Sequence, residues 1–87
     1  MTPVQKTAAF LLLVGFERGS NIMSWMDSRE ISKVAAEIGK ITEMDLKTQQ
    51  NVWDEFKRLG YNETMNAAEA LDIIRLLFNG RNISDKM

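Results

Sequence analysis

Trp25-Met26-Asp27-Ser28-Arg29-Glu30-Ile31-Ser32-Lys33-Val34-Ala35-Ala36-Glu37-Ile38-Gly39-Lys40-Ile41-Thr42 contains a helix together with the signals for both its ends. Asp27 is a capping residue, and Glu30 stands three positions on to complete a capping box. Ile31, Val34 and Ile38, with Ala35, recur at helical spacing and share one face. Gly39 is the expected stop, because glycine tolerates the left-handed conformation of a C-terminal cap. Thr42 then stands ready to cap the next helix. With helices on both sides and almost no linker, this third helix is expected to be packed by its neighbours at the centre of the fold.

Thr2-Pro3-Val4-Gln5 is a second start signal: a Thr cap, proline at the first helical position and Gln to close the box. The helix is predicted from Pro3 to Val14, stopping at Gly15. Val4, Ala8, Leu11 and Leu12 form one face, while Phe10, Leu13 and Val14 cover much of the rest. A helix apolar nearly all the way round is buried on more than one side. Phe16 to Met26 reads as a second helix, with Ile22, Trp25 and Met26 on one face and Trp25 as a core aromatic.

The fourth helix is expected to start at Thr42, with Glu43 and Asp45 in its first turn, where the helix dipole favours negative charge. Leu46, Gln49, Val52, Trp53, Phe56 and Leu59 keep an apolar stripe as far as Gly60, a span of roughly 25 Å at helical rise. Lys47, Gln50, Asn51, Asp54, Lys57 and Arg58 make its solvated side. Asn66 and Glu69 form another capping box, so a fifth helix is expected to start at Asn66 or a little earlier at Thr64 and to end at Asn79-Gly80. Ala67, Ala70, Leu71, Ile74, Leu77 and Phe78 line its core face; Ile73 and Leu76 lie off it. Arg81 to Met87 is a polar tail, so the domain is expected to occupy 1–80 and the tail 81–87.

Five helices on short connections, without a strand pattern, give an all-α class. Stacked helical hairpins in a compact, right-handed armadillo- or HEAT-like arrangement suit such connections better than an up-down bundle. The expected core is Leu11, Leu12, Trp25, Ile31, Val34, Ile38, Val52, Trp53, Phe56, Leu71, Ile74 and Phe78. Apolar surface in excess of one core falls on Phe10 and Leu13 of the first helix and on Ile73 and Leu76 of the fifth. Those four are the candidate partner-binding residues.

Composition narrows the function. The chain is 87 residues long, 45% hydrophobic and 26% charged, with a net charge of −1. That suits one globular domain with a modest core, for which a partner or self-association adds stability. Acidic and basic residues are scattered, with none of the basic stripe that a phosphate backbone requires, so nucleic acid is not an expected partner. A helix-turn-helix centred on Gly39-Lys40-Ile41 is the DNA-binding alternative, but its reading helix would meet phosphate with Glu43, Asp45, Asp54 and Glu55.

The chain has neither cysteine nor histidine. This removes disulfides, thiolate chemistry, the usual zinc sites and histidine general bases. No glycine-rich phosphate loop or inward-facing carboxylate cluster is present, so no enzyme, metal or cofactor is expected. Ala8 to Gly15 falls far short of the ~20 residues of a membrane span, and no direct membrane insertion is expected.

The ordered pieces resemble a family. Gln5 to Gly15 resembles the opening segment of the flagellar motor switch protein FliG, and Met26-Asp27-Ser28-Arg29-Glu30-Ile31 is similar to the segment that follows. Ala35 to Thr42, Val52-Trp53-Asp54-Glu55-Phe56 and Ala67-Ala68-Glu69-Ala70-Leu71 continue the likeness over residues 4 to 80 in the family's order. Ala67 and Ala68 stand where glycines are common. The resemblance is to the N-terminal domain only; the middle and C-terminal domains of the family have no counterpart in this chain. It implies a non-enzymatic interaction domain of the flagellar rotor, cytoplasmic and at the inner face of the inner membrane. Its implied partners are the C-terminal cytoplasmic tail of the membrane-ring protein FliF and neighbouring copies in a ring. A stand-alone adaptor of a related motor or secretion complex is the alternative. MgtE-type magnesium transporters carry a related domain fused to modules that are lacking here.

Overall fold

The helix apolar on all sides is the hub of the fold. In the computed structural model, which describes residues 1–78, α1 (Pro3–Leu13) packs against α2 (Phe16–Met23), α3 (Ser28–Ile38) and α4 (Leu46–Arg58), while α5 (Ala67–Leu76) packs against α2. Thr7, Ala8, Ala9, Phe10 and Leu11 are all buried. Consecutive residues covering more than one turn of about 3.6 residues leave no face open, so the middle of α1 is enclosed on every side. This corrects the expectation that α3 is the centre: α3 buries only Glu30 and Val34 and packs on α1 as a lid. No strand occurs among the described residues. These contacts establish the all-α class, not the armadillo-like stacking that short connections suggest. The expected end at Asn79-Gly80, the domain limit at residue 80 and the polar tail lie outside the described residues.

Three start signals form as read. Complete capping boxes join Thr2 with Gln5, Asp27 with Glu30 and Asn66 with Glu69. α4 differs. Its cap is Asp45, whose Oδ1 accepts the Thr48 N–H at 2.8 Å, so Thr42 caps nothing and the helix is 13 residues long. Aspartate caps better than threonine. The preceding segment gains by staying outside the helix, because it packs Ile41 and Met44 against the core, and Gln49 Nε2 donates to the Met44 carbonyl at 2.9 Å. Residues 39–45 thus make a connection longer than the short turn of a helix-turn-helix.

Gly39 ends α3 with φ −63°, an ordinary right-handed value, so the expected left-handed cap is absent. The left-handed glycines are Gly15 at φ 95° and Gly60 at φ 112°, each at the sharp turn after a helix. Gly19 has a different task. A Cβ there would lie 2.7 Å from the Leu11 carbonyl oxygen, so only glycine lets α2 cross α1 this closely.

The core gathers Phe10, Leu11, Val34, Val52, Phe56, Leu71, Ile74 and Phe78, with Ile38 and Trp53 packed at its edge. Three expected core residues lie outside. Trp25 is 62% exposed because α2 ends at Met23, so the chain turns before Trp25 can share the face of Ile22. Leu12 is exposed near the end of α1, where the enclosing helices no longer cover every side. Ile31 lies about 100° round the helix from the buried Glu30, at the rim of the α3 contact.

A polar tie joins α3 to α5. Glu30 is fully buried. Arg75 Nη2 donates to its Oε1 at 2.9 Å and Arg75 Nε to its Oε2 at 3.2 Å. The Asp27 N–H also donates to Oε1, at 3.0 Å. Hydrogen bonding to Glu30 holds the Arg75 guanidinium above its ordinary pKa, against the opposing effect of partial burial; the negative charges of Glu30, Asp72 and Asp27 add to the rise. Capping residue and ion-pair partner are one side chain, so α3 cannot keep its N-terminus and lose α5 without leaving a buried carboxylate unbalanced.

Candidate interaction surface

The four residues expected to face a partner do not form one surface. Phe10 is fully buried, which removes it as a contact. Its ring stacks on Phe56 at 4.1 Å and meets Trp53 and Tyr61 edge-on at 5.9 and 4.8 Å. Four aromatic rings from α1, α4 and the following turn thus satisfy one another. Leu13 and Ile73 are half-buried and pack against the core. Leu76 alone of the four is exposed, at 48%.

An open apolar cleft lies at the C-terminal end of α1. Leu11 and Leu12 of α1, Phe16 and Met23 of α2 and Ile38 of α3 line a cleft of about 280 Å³. Gly15, Gly19 and Ser20 complete its wall. Phe16, Ser20 and Met23 are spaced four and three residues apart, so they share one side of α2. Leu12 is 42% and Phe16 90% exposed, which gives the cleft apolar side chains still accessible to an incoming one. Gly15 and Ser20, both exposed, place little side chain along that wall. None of the four expected contact residues lines it.

The sequence signal for this cleft was weak but present. Leu11-Leu12-Leu13 cannot all face one neighbour on a helix, so at least one must look elsewhere. Phe16 follows Gly15 directly, and a first-turn aromatic after a left-handed glycine has few helix neighbours to cover it.

The cleft offers burial and shape, and no catalytic group. Among the described residues no group of three or more Asp or Glu side chains is placed to hold a metal ion. No described helix is long and apolar enough to cross a membrane.

The profile of the FliG N-terminal domain matches residues 1–85. The chain belongs to the FliG N-terminal domain family. No curated protein and no solved structure gives a significant match. The family makes this FliG-type domain a component of the flagellar rotor and switch, and ties it to motility and chemotaxis.

Proposed function

We propose that this domain docks the cytoplasmic C-terminal tail of a FliF-like membrane-ring protein in the cleft between α1, α2 and α3. It does so at the cytoplasmic face of the inner membrane and contacts neighbouring copies in the rotor. Its role is binding, without catalysis. The observation that carries the reading is the exposure of Phe16 and Leu12 beside Met23 and Ile38 in one cleft. A helix of the tail laid there would present apolar anchors at helical spacing, as helix-in-groove recognition does. Apolar burial drives the docking, and peripheral charges tune its specificity.

An amide NMR titration with that tail tests the reading. Saturable shifts concentrated on residues 11–23 and around Ile38 are expected. Burying one phenylalanine is worth about 2 kcal/mol, so Phe16→Ser weakens binding on the order of 30-fold. No shift with the domain folded and the tail intact would sink the FliF reading and move the search to the tails of related motor or secretion complexes. Equal affinity in the Phe16→Ser variant would move the docking site elsewhere on the domain.

A further inference from the structure

We propose that the cleft between the C-terminal half of α4 and residues 61–63 is a second binding site, which takes an arginine side chain from a partner protein. The cleft has a volume of about 720 Å³ and shares no lining residue with the apolar cleft. Trp53 and Tyr61 supply an aromatic floor; Asp54, Lys57 and Glu63 supply the charge.

The floor is fixed before any partner arrives. Trp53 is held edge-on by Phe10 and lies 6.2 Å from Tyr61, tilted by 33°. The Tyr61 hydroxyl accepts a hydrogen bond from Arg18 Nη1 at 3.1 Å, and the Tyr61 N–H donates to the Phe56 carbonyl at 3.0 Å. The ring already draws a cation, since Lys57 Nζ stands 6.0 Å from the Trp53 centroid. Asp54 and Glu63, both exposed, make no ion pair among the described residues. Two carboxylates without an ion pair therefore stand beside the ring, with Lys57 and the Tyr61-bound Arg18 as their basic neighbours.

These features select a guanidinium. It is planar, stacks on an indole face and offers a fork of donors to a carboxylate, whereas an ammonium is a compact and strongly hydrated point charge. Arginine can lie on Trp53 and reach Asp54 or Glu63 at once. Lys57 is then a competitor for the ring. Its removal frees both the face and the carboxylates.

The test is an amide NMR titration of the whole chain with the peptide acetyl-Gly-Arg-Arg-Gly-amide, repeated with its lysine and citrulline counterparts. Saturable shifts confined to residues 50–63 are expected, tighter for arginine than for lysine by about two- to fivefold. Asp54→Asn and Glu63→Gln each weaken binding by a similar factor. Lys57→Met tightens it, while Lys47→Met, the same charge change on a part of α4 outside the cleft, leaves it unchanged. Equal tightening in both lysine variants would reduce the effect to net charge and overturn the site. So would shifts scattered over the surface, or no saturable shift in the Lys57→Met domain while its spectrum stays folded.

Discussion

Phe10 and Phe16 are the same residue type on adjoining helices, yet one is fully buried and the other is 90% exposed. Phe10 sits where α1 is surrounded, stacked on Phe56 and edged by Trp53 and Tyr61. Phe16 begins α2 just beyond Gly15, whose φ of 95° turns the chain away from α1. The two regions differ in closure. In the α1–α4 interior every ring has ring neighbours; in the α1–α2–α3 cleft Phe16 and Leu12 stay exposed. Apolar surface contributes to folding in the first region and stays exposed in the second.

The contrast predicts opposite mutational profiles. Phe56→Ala removes a buried ring from the stack and should cost about 3–5 kcal/mol in urea unfolding. Phe16→Ala should stay within about 0.5 kcal/mol of wild type. A large loss at Phe16 would mean the cleft is part of the core and would break the distinction.

The polar tie sharpens it from another side. Arg75→Ala leaves the fully enclosed Glu30 carboxylate without its main partner, and should cost about 2–4 kcal/mol. The bridge between Lys6 and Glu55 has comparable geometry, with N to O at 2.9 Å, but both side chains are about 30% exposed. Lys6→Ala should therefore cost less than about 1 kcal/mol. Equal losses at the two pairs would show that burial does not set their worth. Gly19→Ala comes next, at about 1–3 kcal/mol, because the new methyl must push the Leu11 carbonyl away and open the wall of the cleft. Its signature is a joint loss of stability and of partner binding.

The smallest effect concerns pH. Hydrogen bonds from Thr48 hold the Asp45 carboxyl below its ordinary pKa. A carboxylate depressed in the folded state contributes stability that is complete above its unfolded pKa and lost as pH falls through the folded value. The melting temperature of wild type should fall towards that of Asp45→Asn as the solution is acidified, because asparagine keeps the capping acceptor without the titrating charge. A gap between the two that stays constant with pH would assign the cap no charge component.

Helix starts were legible because they are local. Thr2 with Gln5, Asp27 with Glu30 and Asn66 with Glu69 each satisfy their own backbone within one turn. Where two starts competed, the local signal failed: Asp45 displaced Thr42 because the non-helical segment before it packs Ile41 and Met44 against the core. The all-round apolar character of α1 correctly marked a helix enclosed by others. Which apolar residues would remain outside was not legible. Leu12, Trp25 and Ile31 have the spacing of core residues, and Phe10 had that of a spare face.

The sequence by itself determined the class, the five helices among the described residues and most of their starts, which follow from short-range spacing and capping, and its resemblance to FliG pointed to the family. Only the tertiary structure decided that α1 is the hub, that Glu30 meets Arg75 across the fold and that Phe16 and Leu12 stay exposed in one cleft. Spacing along a helix says which residues share a face. It does not say how many neighbours that face will have, because packing depends on residues far apart in the chain.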